Sequence, residues 1–241
     1  MHPVIISNIS KIYADRKVLN DVSIEFEENT ITAIIGRSGS GKSTLLKMIN
    51  GLVKPSSGKI KLFGNEIDYS NLNELRLHIG YSVQGTALFP HMTVYENITL
   101  LARLNNKSKE QINERLNTLM DLTGLPSEFK TKYPFQLSGG EQQRVGICRA
   151  MMLDPKIFLL DEAFGALDPT TKSEIHKELL KIQRTEPRTI IMVTHDLLEA
   201  FRLADKIIVI EKGRIEQAGT KTEILNSSND FVKYFVKAQS E

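Results

Sequence analysis

Residues 31–50 read ITAIIGRSGSGKSTLLKMIN, and this stretch decides the architecture. Ile31 to Ile35 is a short apolar, β-branched run. Gly36 to Ser43 is a glycine-punctuated loop, GRSGSGKS. Leu45, Leu46 and Ile49 then recur on one side of a helical pattern. Strand, Gly-rich loop and helix form the context in which G-x-x-x-x-G-K-[ST] is a phosphate cradle. Gly36, Gly39 and Gly41 lack a Cβ, so the backbone there can wrap closely around an anion. Successive N–H groups then point into the loop, with the positive end of the helix dipole behind them. Lys42 can neutralise β- and γ-phosphates, and Ser43 can offer its hydroxyl to Mg²⁺. A solvated Gly/Ser loop would not need this strand and helix on its flanks. The stretch implies a bound nucleoside triphosphate.

Composition sets the frame around it. The 241 residues suffice for one well-buried α/β core and a smaller lobe. Apolar content of 41% and charged content of 25% are those of an ordinary globular protein. A net charge of +2 selects neither a nucleic acid nor a membrane surface. The single cysteine, Cys148, excludes an internal disulfide and suits a reducing compartment. Apolar runs such as Ile207 to Ile210 are too short to span a bilayer, so any membrane role needs another chain to supply the span. The opening MHPVIISNISKIY has no basic region followed by a long apolar stretch, and no signal peptide is expected.

Three strand-like runs fill residues 3–35. Val22, Ile24 and Phe26 alternate with Ser23 and Glu25, the pattern of a half-exposed antiparallel strand. Tyr13 lies between the first two runs. Its ring could stack on a purine, although spacing alone favours a turn-flanking tyrosine. Beyond the cradle helix, KPSSG is a turn, Gly58 to Gly64 a strand of a hairpin, residues 71–77 a short helix, and IGYSVQ a strand ending at Gln84. Gly85 to Met92 is an apolar loop. Thr93 and Glu96 make a capping box that opens a helix to about Arg103. Lys107 to Leu122 is amphipathic through Ile112, Leu116 and Leu119, and GLPSEFKTKYPFQ is a loop. Residues 85–153 read as a helical subdomain inserted between core segments 1–84 and 154–241.

Four further strings carry chemistry. LSGGEQQR, Leu137 to Arg144, holds a second capping box, Ser138 with Glu141. A capping box does not need Gly139 and Gly140; two glycines at a helix start can bare N–H groups for a second anion. KIFLLDE is a buried strand ending in Asp161 and Glu162, and such strand ends face the ligand in open α/β sheets. Asp161 can hold Mg²⁺ through its water shell, and Glu162 can deprotonate an attacking water. In FGALDP, Asp168 before Pro169 is at least an N-cap. TIIMVT is another buried strand, and His195 follows it where a γ-phosphate is expected. His2, His78, His91 and His176 show no metal-ligand spacing.

Together these strings resemble the nucleotide-binding subunits of ABC transporters over nearly the whole chain: GRSGSGKST, Gln84, LSGGEQQR, FLLDE, ALD and His195 stand in the family's order. The resemblance implies an α/β fold with a P-loop NTPase (RecA-like) core, an N-terminal antiparallel β subdomain and an inserted helical subdomain. It implies ATP and Mg²⁺ as cofactors. Tyr13 then looks like the ring that stacks on adenine, reversing the reading from spacing. Gly36, Arg37, Ser38, Gly39, Ser40, Gly41, Lys42, Ser43 and Thr44 would hold the phosphates. Gln84 would sense Mg²⁺ and the attacking water. Ser138, Gly139 and Gly140 would close on the ATP of an opposite subunit. Asp161 resembles the magnesium aspartate, Glu162 the general base and His195 the γ-phosphate contact. Asp168 resembles the aspartate that crosses the dimer interface. Ala163 departs from the family, where proline commonly follows the glutamate.

The implied partners are a second copy or a paired ABC subunit, transmembrane permease subunits and, indirectly, a solute-binding protein, with no nucleic acid. The implied place is the cytoplasmic face of the inner or plasma membrane. FGALDP, VTHDLLEAFRLADKI and IEQAGT are similar to importer subunits. ALFPHMTVYENI and EILNSSNDFVKYFV are similar to those of quaternary-amine and osmoprotectant importers. Many such subunits carry a regulatory extension beyond the point where this sequence ends at Glu241. Amino-acid and polyamine importers share much of the pattern, and an exporter or lipid-transport subunit would use the same ATP chemistry. A small-molecule kinase leaves LSGGEQQR without a role. A non-transport ABC ATPase usually carries a coiled-coil insertion or a second cassette, and neither pattern occurs here.

Overall fold

The computed structural model of the protein describes residues 2–83, 85, 87–165 and 167–240. In chain order the elements are β1 (Val4–Tyr13), β2 (Arg16–Phe26), β3 (Ile31–Ile35), α1 (Lys42–Ile49), β4 (Ser57–Leu62), β5 (Asn65–Glu66) and α2 (Asn73–Leu77). There follow β6 (Ile79–Ser82), α3 (Val94–Leu104), α4 (Lys109–Leu122), α5 (Gly139–Met151), β7 (Ile157–Asp161) and α6 (Pro169–Thr185). The chain closes with β8 (Thr189–Val193), α7 (Leu197–Leu203), β9 (Lys206–Glu211), β10 (Arg214–Gly219), α8 (Lys221–Leu225) and α9 (Asp230–Ser240). These pack into two compact units, Met1–Arg76 with Arg188–Glu241, and Leu77–Pro187.

The first unit contains an antiparallel sheet in the order β2-β1-β4-β5. Along β2, Val22, Ile24 and Phe26 are buried while Ser23 and Glu25 are exposed, the alternation a one-sided sheet requires. The same unit holds the parallel core. β3 lies between β9 and β8 and runs parallel to both, so Ile34 stands opposite Val193 on one side and Ile208 on the other. All five residues of β3 and of β8 are buried, which is why both read as continuous apolar runs. β9 and β10 form the closing antiparallel hairpin.

In the second unit β6 and β7 pair in parallel from Ile79 with Ile157 to Ser82 with Leu160. α3 starts on the Thr93–Glu96 capping box. α4 starts on a second box, Ser108 with Gln111, inside the stretch expected to be helical from Lys107. The GLPSEFKTKYPFQ segment contains two short 3₁₀ turns at 127–131 and 134–136, and Phe129 of the first is buried. The apolar face of α5, Val145, Cys148 and Ile147, is buried, as is Met152 beyond it. α6 runs to Thr185, a turn beyond the expected Lys181. There Arg115 of α4 holds Glu186 in a bidentate pair of 2.6 and 2.8 Å and secures the helix end.

Candidate nucleotide site

In the first unit the chain leaves β3 at its carboxyl end and turns directly into the glycine-rich loop. Gly36 has φ +151°, and a Cβ there would lie 2.0 Å from the Ile210 carbonyl oxygen. Gly41 has φ +105°, and its Cβ would lie 2.7 Å from Leu19 Cδ2 and 2.8 Å from the Val18 oxygen. Glycine is therefore required at both ends of the loop, by backbone conformation and by contact. Gly41 is the N-cap of α1; no side chain caps that helix, and its first turn contains no acid. A helix start of this kind presents amide N–H groups and a positive dipole end to an incoming anion.

Lys42 is 5% exposed. Its Nζ donates to the carbonyls of Gly36 at 2.8 Å and Arg37 at 3.0 Å. The Gly213 N–H in the β9–β10 turn donates to the Ser40 carbonyl at 3.0 Å, so the closing hairpin pins the far side of the loop. A cavity of about 310 Å³ opens here, lined by Arg16, Lys17, Arg37, Lys212 and Glu211 with Ser38, Gly39 and Ser40. Four cations against one carboxylate suit a polyanion.

Tyr13 is the last residue of β1, paired with Arg16 across the β1–β2 turn. Its ring is exposed, and Lys11 Nζ lies 4.8 Å from the ring centre. His195 is exposed just beyond β8. The turn that presents it is held by Thr194, whose hydroxyl donates to Glu199 and accepts from the Asp196 N–H at 3.0 Å. Asp196 caps α7 through the Glu199 N–H. Tyr13, the loop from Gly36 to Thr44, and His195 thus belong to one unit.

The second unit holds the carboxylates and the LSGGEQQR helix. Asp161 ends β7, is 6% exposed, and accepts a 3.1 Å bond from the Tyr81 hydroxyl on neighbouring β6. Burial and the adjacent Asp161 charge push the Tyr81 phenol above its ordinary range, so it remains a protonated donor. Glu162 follows with φ +47°, in the left-handed region, and its carbonyl accepts from the Gly165 N–H at 3.3 Å. Asp168 caps α6 by accepting from the Thr170 and Thr171 N–H groups at 3.1 and 3.0 Å. Hydrogen bonds from Thr171 hold the Asp168 carboxyl below the usual range.

Ser138 caps α5 with Glu141 in a full capping box. Gly139 is exposed, but Gly140 is buried, and a Cβ on it would meet Thr171 Cγ2 at 2.3 Å. Of the two glycines expected to bare their N–H groups, the second is accounted for by close packing of α5 on α6. Gln143, 3% exposed, donates to the Ser82 hydroxyl at 3.4 Å. Arg144 lies 3.1 Å from both Glu174 and Glu178. Gln84, expected in contact with Mg²⁺ and water, lies outside the described residues. Sequence reasoning missed Tyr81 and Gln143. Their roles depend on a strand neighbour and a helix–strand contact rather than on any spacing in the chain.

Residues 19–165 match the family described as ABC transporter. The chain is 45% identical over 230 residues to the glycine betaine uptake system ATP-binding protein YehX of Escherichia coli, covering 95% of this chain and 75% of that one. It is 43% identical to the glycine betaine/carnitine/choline transport ATP-binding protein OpuCA of Bacillus subtilis, covering 96% of this chain and 61% of that one. It thus spans about three fifths of that longer relative. A solved dimeric structure of the ATP-binding cassette MJ0796, in a post-hydrolysis state bound to ADP and Pi, superposes with a TM-score of 0.82. It shares 32% identity and is matched over 90% of this chain and 98% of that one. The chain belongs to the ABC transporter family, as a member of its ATP-binding cassettes. Among the described residues no helix is long and apolar enough to cross a membrane.

Proposed function

We propose that the protein is the ATP-hydrolysing motor subunit of an importer for quaternary-amine osmoprotectants. The observation that carries the ATP reading is the phosphate loop. It has a cation-rich mouth, two glycines that no other residue can replace, and an uncapped, acid-free helix start beneath it. Residues 36–44 hold the triphosphate, Lys42 faces its β- and γ-phosphates, and Tyr13 stacks on the adenine. Mg²⁺ favours one or two protein oxygens beside phosphate and water, and the hydroxyl of Ser43 and the carboxylate of Asp161 are donors of that kind that would hold it. When bound, it would neutralise charge on the phosphates. Gln84 belongs to the same magnesium and water machinery. Glu162 takes the proton of the attacking water, and His195 contacts the γ-phosphate.

Ser138, Gly139, Gly140 and Asp168 serve a second subunit's nucleotide, so the working form is a dimer, of two copies or of paired cassettes. Residues 85–153 act as the helical subdomain within a core of 1–84 and 154–241. The names of the relatives point to glycine betaine, choline or carnitine as cargo. The partners of such a subunit would be transmembrane permease subunits and, indirectly, a solute-binding protein. The protein would then work at the cytoplasmic face of the membrane.

The test is phosphate release by the purified protein with ATP and Mg²⁺, native against Glu162→Gln. The variant should still bind ATP, lose turnover by at least about 100-fold, and accumulate as an ATP-bound dimer on gel filtration. Near-normal hydrolysis would remove Glu162 as the base. Lys42→Ala should instead lose ATP affinity in a calorimetric titration.

A further inference from the structure

The C-terminal helix α9 takes no part in the chemistry above, yet its side chains meet two nucleotide-facing segments of its own unit. The guanidinium carbon of Arg37, in the phosphate loop, lies 5.3 Å from the ring centre of Phe231 and 5.5 Å from that of Tyr234. Glu211, at the end of β9, lies 3.7 Å from the same guanidinium. Further along the helix, Gln239 Oε1 accepts a 2.9 Å bond from the N–H of Leu197, two residues after His195. One helix thus touches both the loop and the turn that carries the histidine.

We propose that α9 positions the phosphate loop for ATP: Phe231 and Tyr234 hold the Arg37 side chain, and Gln239 holds the start of α7. The carbonyl of Arg37 accepts from Lys42 Nζ at 3.0 Å and from the Ser40 N–H at 3.2 Å. The residue gripped by the two rings is therefore also an anchor for the phosphate-binding lysine. A loop ordered before the ligand arrives loses less entropy on binding. α9 is itself firmly seated, with Val232 and Phe235 buried, and Phe231 stacked on Phe235 at 5.9 Å. Asn229 accepts from the Val232 N–H at 3.1 Å and donates to Glu216 at 3.2 Å, fixing the start of the helix to β10. Arg37 remains 52% exposed at its side chain, so its hold is modest and reversible rather than a permanent clasp.

This inference rests on the ATP reading, and the experiment separates the two. ATP affinity and steady-state hydrolysis are measured on the full-length protein for Tyr234→Leu, Phe231→Leu, Tyr234→Phe, Gln239→Ala and, as a control, Lys42→Ala. Tyr234 is 60% exposed, so its replacement empties no core. Each leucine variant loses the ring face that meets the cation, and its Kd and KM for ATP should rise about two- to fivefold with kcat within twofold. Gln239→Ala should raise KM in the same direction. Tyr234→Phe, which keeps the ring, should behave as native. Leucine variants that bind ATP as tightly as native, with Lys42→Ala still defective, would overturn the positioning role and leave the ATP reading intact. So would an equal loss in Tyr234→Phe. A Lys42→Ala protein with native affinity would overturn both.

Discussion

The hydroxyl of Tyr81 donates to Asp161 Oδ2 at 3.1 Å, from one parallel strand to the next. The bond orients a nearly buried carboxylate, the one proposed above to serve Mg²⁺. Tyr81→Phe keeps the ring and removes the donor. It should lower kcat about three- to tenfold, raise the Mg²⁺ concentration needed for half-maximal activity, and leave ATP binding without Mg²⁺ unchanged. An unaltered Mg²⁺ dependence would show that Tyr81 only packs there.

Thr171 serves two neighbours at once. Its hydroxyl bonds Asp168, and its methyl lies where a Cβ on Gly140 would stand, 2.3 Å away. Alanine is a better helix former than glycine, so propensity alone would make Gly140→Ala stabilising. The contact reverses the sign: the substitution should destabilise the protein by about 1–3 kcal/mol, read as a lower Tm. Thr171→Ser removes the methyl and keeps the hydroxyl, and in the double variant it should restore most of the loss. A Tm unmoved by Gly140→Ala would refute the steric account.

Glu178 of α6 faces Arg144 of α5 at 3.1 Å and shares that guanidinium with Glu174. Burial, opposed by Arg144 and reinforced by Glu174, raises its carboxyl from 4.5 to about 7. The folded protein then binds this proton more tightly than the unfolded chain does, so the group's contribution to stability falls as pH rises from about 4.5 through about 7. Glu178→Gln cannot titrate. Thermal scans from pH 5 to pH 8 should show the native Tm falling relative to the variant by several degrees, at about 2–4 °C per kcal/mol for a chain of this size. Parallel curves would exclude the linkage.

What the sequence made legible was local. Thr93 with Glu96 and Ser138 with Glu141 announce two helix starts through side chains three residues apart, and both boxes form. The apolar runs at β3, β7 and β8 announce buried strands because both faces of each are covered. Less visible was whatever depends on a distant neighbour. Arg37 and Phe231 meet across nearly the whole length of the chain, and no periodicity links them. Gly140 read as an amide exposed to an anion because its spacing to Ser138 is visible, whereas the methyl of Thr171 above it is not. Tyr81 looked like an ordinary strand residue until β6 was laid beside β7.

Glu162 sits with φ +47°, a conformation that costs a side-chain-bearing residue roughly 1 kcal/mol or more and costs glycine nothing. Drift under selection for thermal robustness alone would carry this position toward glycine or asparagine. With Glu162 proposed as the base, that strain is the stability cost of placing a carboxylate at this turn. Laboratory evolution toward heat resistance, run without an activity screen, would be expected to erode this protein first at that residue.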